Sequence, residues 1–552
     1  MNMPLADKPA YRQVETEFDW GMALDSLGWS GQATVDLADT IVDRHVRGGK
    51  ADSTAIVWVG KDGTERRITF GELASESAHF ANLLLRLGVV KGDRVAIILP
   101  RIPEVIPVIV GAFRAGAIIV PIFTGFGTDA AAYRLSHSGA KVVCVDKRHR
   151  DLASSVDNLT VICIGGSEQR GDIDYHQALA AENVECVSQR YARDEPAAII
   201  YTSGSTGLPK GCVIAANILV AMWPYARYGL DLAETDVFWP TGDPSWGYGL
   251  CCYLPALALG MPVLCVEVNA TPDVCQATIP RYGVTNLATT PTVLRSLTAR
   301  GEAIRGFGST VRAISSCGEP LNAEVVDFFR EAWGVVPMDH FGATEFGLPI
   351  GNHNGLVMQV KPGSMGLPAP GQCMAVVSET GQELPPESVG LIAQRTNDGS
   401  RYWLKYWDDE AATQKLRRGD WICTGDLARR DQEGYFWFEG RSDDIIKSSG
   451  YRIGPFEIES AVLQHGSAAE VAVVGVPDAV KGQVVKAFVV TRPGIEPSLR
   501  LADEIIEFVK SRCGRHQSPR EVQFVESLPK THSGKIQRFL LRQAAPRDKV
   551  SS

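Results

Sequence analysis

Short apolar runs alternate with stretches of helical period through residues 1–190. Phe80, Leu83, Leu84 and Leu87 follow Thr69-Phe70-Gly71-Glu72-Leu73 at helical spacing. That pattern predicts a helix capped by Thr69 and stopped by Gly88. The run Val95-Ala96-Ile97-Ile98-Leu99 follows the turn Lys91-Gly92-Asp93, and Val142-Val143-Cys144-Val145 is another unbroken apolar run. Strands apolar on both faces, alternating with helices, predict largely parallel sheets covered on both sides. The longest apolar stretch, Val105 to Phe123, carries Pro107, Arg114 and Pro121. It reads as a buried helix leading into a strand, not as a membrane span. From Pro362 to Phe438, Gly/Pro turns separate short strands, as in a small β-rich unit. After Arg441 the texture becomes compact α+β, beyond the polar junction SDDIIKSSG. The expected fold is α/β. A large N-terminal part (1–442) of mostly parallel, helix-covered sheets includes a β-rich subdomain at about 362–440. A small α+β C-terminal domain (443–552) follows, with the boundary at Asp443.

Composition narrows the classes. The chain has 552 residues, 45% hydrophobic and 22% charged, as in a globular protein. Its net charge of −9, without long blocks of either sign, gives no basic footprint for nucleic acid. An acidic protein still binds phosphates where backbone NH groups and a few cations converge. The first twenty residues have charges and no apolar core, so no signal peptide is expected. No repeats or low-complexity runs occur. Twelve cysteines without a CxxC pair are expected to be reduced thiols, and the location cytoplasmic.

The strand Ala198-Ile199-Ile200-Tyr201 runs straight into Thr202-Ser203-Gly204-Ser205-Thr206-Gly207-Leu208-Pro209-Lys210-Gly211. Glycines that admit backbone NH groups, four hydroxyls and Lys210 suit a polyphosphate. This is not a Walker A loop, since Pro209 and Gly211 flank the lysine where that motif needs Gly and Ser/Thr. Further along stand Gly318-Glu319-Pro320 and Asp339-His340-Phe341-Gly342-Ala343-Thr344-Glu345. Then come Thr424-Gly425-Asp426, Arg441 in GRSDD, and the segment Leu528-Pro529-Lys530-Thr531-His532-Ser533-Gly534-Lys535. Phe341 offers a stacking face for a purine, Asp339 an acceptor for its amine, and Glu345 the hard oxygen that Mg²⁺ prefers. Thr344 offers a hydroxyl to a phosphate oxygen, and the Asp426 carboxylate is able to take two ribose hydroxyls.

The phosphate loop, and the other motifs in this order, resemble the adenylate-forming superfamily, which includes acyl-CoA synthetases, amino-acid adenylation domains and firefly luciferase. The resemblance covers essentially the whole chain. It implies an AMP-forming acid–thiol ligase: a carboxylate and ATP·Mg²⁺ give acyl-AMP and pyrophosphate, and CoA then gives the thioester and AMP. It assigns residues 202–207 and Lys210 to the phosphates, and Gly318, Glu319, Pro320, Asp339, His340, Phe341 and Gly342 to adenine. Asp426 and Arg441 fall to the ribose or phosphate, and Phe438 to the adenine wall. Thr344 and Glu345 are catalytic, with Glu345 the metal ligand. It makes Lys535 the catalytic cation between carboxylate and α-phosphate, and Asp443 the hinge about which the C-terminal domain turns. It also implies a lysine acyltransferase and deacylase acting on Lys535, and leaves a homodimer open.

The stretch Ser448-Ser449-Gly450-Tyr451-Arg452-Ile453-Gly454-Pro455-Phe456-Glu457-Ile458-Glu459 resembles the acyl-CoA synthetase form of that domain, especially the medium-chain type. Gly450, Tyr451 and Arg452 are the CoA candidates. The basic cluster Lys510, Arg512 and Arg515 is either a further CoA contact or a solvated helix face. In acetyl-CoA synthetases a tryptophan beside the stacking aromatic closes the acid pocket, and the matching residue here is Gly342. With Trp246, Gly247, Tyr248 and Cys317 at other pocket positions, the expected acid is larger than acetate: medium-chain, branched or aromatic. The chain departs from many relatives after the phosphate-loop lysine, where Cys212-Val213-Ile214-Ala215-Ala216-Asn217 stands in place of a histidine-bearing segment. Two other readings remain. One is transfer to a carrier-protein thiol or an amine; the other is a non-catalytic nucleotide or acyl sensor. A Rossmann oxidoreductase is excluded, because no GxGxxG follows the early strands.

Overall fold

The computed structural model describes residues 8–166, 169–202, 208–442, 444, 446–448, 451–478, 482–513, 517–530 and 536–544. Two large sheets make the body. The first runs in the order Trp403–Tyr406, Lys210–Ala215, Pro196–Thr202, Ile118–Pro121, Arg94–Ile98, Ala140–Asp146, Thr160–Ile164 and Ile173–Asp174. Its strands are parallel except where Lys210–Ala215 pairs with each of its neighbours. The second runs Leu367–Pro368, Gly347–Gly351, Pro337–Ala343, Ala313–Cys317, Asn286–Thr289, Phe238–Pro240, Val263–Val266, Thr54–Val59 and Glu65–Thr69. Its centre is parallel and both ends are antiparallel.

Local chemistry explains the first helices. Thr69 and Glu72 form a reciprocal capping box, Thr69 Oγ1 accepting from Glu72 N at 3.1 Å and Glu72 Oε2 from Thr69 N at 2.8 Å. The helix Phe70–Arg86 packs on Val105–Arg114, every residue of which is buried. Contact is close at Gly111, where a Cβ would stand 2.7 Å from Ser77 O. Arg114, buried in an apolar helix, is compensated by a fork to Asp43 and by Ser77 Oγ at 3.0 Å. Among the described residues no helix is long and apolar enough to cross a membrane. All twelve cysteines are free thiols.

The β-rich segment forms an antiparallel sheet of Cys373–Val377, Gly390–Arg395, Trp421–Arg430, Arg417–Arg418 and Phe436–Arg441. It is not self-contained. Trp403–Tyr406 leaves it to become the edge of the first sheet, and Leu367–Pro368 the edge of the second. The C-terminal unit has its own sheet of Tyr451–Ile453, Ile446–Ser448, Gly482–Thr491, Ala468–Asp478 and Glu521–Phe524, covered by Pro455–Gln464 and Leu499–Cys513. Its apolar clusters draw on residues from Ile446 onward alone. The architecture is the α/β expected from the sequence.

Candidate active site

The phosphate-loop strand ends in a ladder. Thr202 lies opposite Lys210, and Thr202 Oγ1 donates to Lys210 O at 3.5 Å, so both ends of the loop are pinned by one register. Residues 203–207, and with them Ser203, Gly204, Ser205, Thr206 and Gly207, lie outside the described residues. Lys210 Nζ stands 5.0 Å over the ring of Tyr406, the neighbour brought in by the edge strand.

Asp339, Phe341, Thr344 and Glu345 follow along the strand Pro337–Ala343 and the turn after it. The turn joins two antiparallel strands, with Ala343 opposite Gly347. Asp339 is almost fully buried, and burial pushes its carboxyl well above the usual range. Oδ2 accepts weakly from Leu321 N at 3.3 Å, whereas Oδ1 has no partner. A buried acceptor without a donor is costly, and an adenine amine is the donor that would satisfy it. Beside it, Gly318 has φ +106°, which a side chain would strain, and lets the chain turn into Glu319-Pro320. Thr292 Oγ1 donates to Glu319 at 2.8 and 3.0 Å, and Arg295 bonds the same carboxylate. His340 points the other way, edge-on to Tyr225 at 5.1 Å. Both its ring nitrogens are unpartnered, and burial lowers it to about 3. It is therefore a neutral residue of the wall behind the site.

Tyr406 Oη donates to Glu345 Oε1 at 2.6 Å, which aims the carboxylate. Among the described residues no cluster of three or more His, Cys, Asp or Glu is able to hold a metal. One carboxylate near the strand that leads into residues 203–207 suits Mg²⁺, which binds through one or two carboxylates plus substrate phosphates. Asp426 and Arg441 face each other across a ladder, with Arg441 Nη1 3.3 Å from Asp426 Oδ1 and Thr424 Oγ1 donating to Oδ2 at 2.6 Å. Phe438, half-buried on the same strand, meets Phe456 of the C-terminal unit at 6.1 Å.

On the acid side, Trp246 caps the helix Gly247–Ala258 and packs on Phe123 and Phe126 at 5.5 and 5.7 Å. A Cβ on Gly247 would meet nothing within 4 Å. Tyr248 and Tyr225 bring their hydroxyls to 3.5 Å, and Cys317 is buried at its strand end opposite His340. Gly342 corrects an expectation. A Cβ there would stand 2.4 Å from Gly347 O and 2.6 Å from Leu348 Cδ2. On the side its side chain would take there is filled space, not the void expected from a missing indole.

Lys535, Asp443 and Gly450 lie outside the described residues, as do Arg515 and the side chains of Tyr451 and Arg452. The segment 531–535 is bracketed by a bridge between Lys530 and Ile536. Just beyond it, Arg538 Nη2 donates to both oxygens of Glu459 at 2.8 and 2.9 Å. Arg538 Nη1 is 3.7 Å from Asp444, which also takes Arg542 at 2.8 Å. Asn322, three residues after Glu319, donates from Nδ2 to Ser460 Oγ of this unit at 3.5 Å. Lys510 is paired with Glu507 and Arg512 lies over Phe508, as on a solvated helix face. Sequence reasoning missed Tyr406, Thr292, Arg295 and Arg538, none of which sits in a motif. Thr424, two residues from Asp426, was quoted without a role.

Strand, orphaned aspartate, aimed glutamate and cross-strand Asp–Arg pair together define an enzyme of the adenylate-forming ligase class. The chain belongs to the AMP-binding enzyme family, whose model matches residues 42–402, with the AMP-binding enzyme C-terminal domain matching 457–535. It is 36% identical over 543 residues to the acetyl-coenzyme A synthetase of Bacillus subtilis (strain 168), covering 96% of this chain and 94% of that protein. The crystal structure of a Brucella canis acyl-CoA synthetase matches with TM-score 0.77 and 38% identity, over 97% of this chain and 99% of that one. The anthranilate CoA ligase AuaEII, crystallised with anthranoyl-AMP, matches with TM-score 0.85 and 28% identity, over 93% and 98%.

Proposed function

We propose that the protein is an AMP-forming CoA ligase whose acid is larger than acetate. The observation that carries the ligase reading is Asp339 Oδ1, a buried acceptor awaiting a donor on the strand that leads to Thr344 and Glu345. Relatives named as acetyl-CoA synthetase, acyl-CoA synthetase and anthranilate CoA ligase support CoA as the acceptor. The acid is read from the pocket residues. Open space at Gly247 favours a medium-chain, branched or aromatic acid, with Tyr248 and Cys317 on its wall.

In this mechanism Asp339 orients adenine, Phe341 and Phe438 flank it, and Asp426 with Arg441 holds the ribose. Thr202, residues 203–207 and Lys210 grip the phosphates, and Thr344 holds a phosphate oxygen. Glu345 would hold Mg²⁺, which supplies charge neutralisation at the phosphates. Lys535 places a cation between two anions that must meet, and removing such a group costs on the order of 10²–10³ in rate. The C-terminal domain, taken as 443–552, then turns about Asp443 and brings Gly450, Tyr451 and Arg452 to the thiol path. Acylation of Lys535 by a lysine acyltransferase would remove its charge and stop the first step, and a deacylase would restore it.

The test is CoA-dependent AMP release from ATP across acetate, butyrate, hexanoate, octanoate, isobutyrate, benzoate and phenylacetate. The expected result is a maximum above acetate. A maximum at acetate would overturn the pocket reading. Pyrophosphate without thioester would move the acceptor to a carrier thiol or amine, and ATP binding without turnover of any acid would favour a sensor.

A further inference from the structure

Tyr406 lies between the two large sheets, in contact with one group from each. It ends the edge strand Trp403–Tyr406, which pairs with Lys210–Ala215 so that Tyr406 stands directly opposite Cys212. Glu345 belongs to the turn between two strands of the other sheet. The Tyr406 hydroxyl reaches across at 2.6 Å to Glu345, while its ring lies 5.0 Å under Lys210 Nζ. A phenol donating to a carboxylate makes a charge-assisted bond, and a ring under an ammonium a cation–π contact. Tyr406 itself is fixed: it is 5% exposed, its ring packs edge-on against Trp403 at 5.4 Å, and its backbone N–H donates to Thr413 Oγ1 at 3.0 Å. Cys212, opposite Tyr406 in the ladder, is buried, and desolvation first and the nearby Glu345 charge next push its thiol up.

We infer that Tyr406 is a positioning residue for acyl-AMP formation, holding Glu345 through its hydroxyl and seating Lys210 on its ring. The inference rests on the reading of Glu345 as the metal-facing carboxylate and Lys210 as the phosphate cation. One side chain thereby sets the spacing between a group on the first sheet and a group on the second. Tyrosine suits the post because it carries both an aromatic face for Lys210 and a hydroxyl donor for Glu345.

The experiment separates hydroxyl from ring. Tyr406→Phe keeps the seat for Lys210 and removes the bond to Glu345. Calorimetric binding of ATP is followed as Mg²⁺ is titrated, alongside acyl-AMP formation without CoA and conversion of supplied acyl-AMP with CoA. The Mg²⁺ requirement of ATP binding should rise about 10–100-fold, the usual cost of losing a partner of a metal ligand, and acyl-AMP formation should fall in step. Conversion of supplied acyl-AMP should not change. In a Glu345→Gln background the same substitution should have no further effect on the Mg²⁺ requirement. Tyr406→Leu, which also removes the ring, should in addition weaken ATP binding in EDTA; if that variant does not fold, the Phe substitution in its two backgrounds decides alone. Wild-type Mg²⁺ dependence in Tyr406→Phe, equal slowing of both half-reactions, or an undiminished effect beside Glu345→Gln would overturn the inference. Failure of the wild type to make acyl-AMP from any acid would instead sink the ligase reading, and the Mg²⁺ titration would still report on Tyr406.

Discussion

On the nucleotide side, Asp339, Asp426 and Arg441 project from strands whose neighbours are fixed by ladder bonds, and Glu345 from the turn between two such strands. On the C-terminal side, the residues around 531–535 are carried by a unit with a separate core, tied together by Glu459, Arg538, Arg542 and Asp444. That unit meets the nucleotide body through an Asn322–Ser460 contact at 3.5 Å, the Phe438–Phe456 ring contact and the approach of Gly454 to Glu439 O. The first side is preorganised by sheets that cannot shift without breaking a ladder. The second would keep its fold if it turned as proposed, because its apolar clusters do not include residues of the body. The proposed reaction, in two steps at one nucleotide site, would use that division of rigidity.

The comparison breaks most easily at Arg538. Arg538→Met leaves Glu459, 7% exposed, without its cation. Losing one partner of such a pair costs about 3–5 kcal/mol. The expected outcome, read by thermal melting, is early unfolding of the C-terminal unit with the body unchanged. A single cooperative melt shifted as a whole would mean the units are not separate. Next in size, Asp426→Ala should raise the KM for ATP about 10–100-fold, since a charged hydrogen bond is worth about 1.5–3 kcal/mol, and leave the melting temperature nearly constant. An unchanged KM would remove Asp426 from the ribose. Gly342→Ala should destabilise the body by about 1–3 kcal/mol, because the added methyl meets the Gly347 carbonyl; a neutral outcome in urea unfolding would mean the turn yields.

A pH slope probes the same body. Burial lowers His353 from 6.5 to about 4, and its nitrogens are unpartnered. Below pH 6.5 the unfolded chain binds this proton and the native chain does not until about 4. The His353 contribution is therefore full above 6.5 and lost as pH falls towards 4. His353→Phe, which keeps a ring on Tyr11, should lose less melting temperature over that window than wild type. Equal slopes would mean that His353 titrates normally.

What the sequence makes legible is local. Thr69, Glu72 and Gly88 announce a helix within twenty residues, and the structure shows the capping box and a left-handed Gly88. The strand before the glycine-rich loop, the Asp339–Glu345 run and the Thr424–Asp426 string were legible because each is one contiguous string. Tyr406 was not, since its role comes from an edge strand placed opposite Cys212, nearly two hundred residues earlier in the chain. Arg538 and Glu459 were hidden for the same reason: their bond spans 79 residues. Gly342 shows the opposite failure. A missing side chain suggests a hole, but only three-dimensional packing reveals Leu348 already in it.

The most direct test of the divided site is a single-turnover experiment on wild type and Lys535→Ala. Acyl-AMP is first formed from ATP and acid without CoA, and in a second series supplied acyl-AMP is chased with CoA. The account expects the variant to lose about 10²–10³ in the first step and to match wild type in the second. Equal losses in both steps, or none in the first, would contradict it.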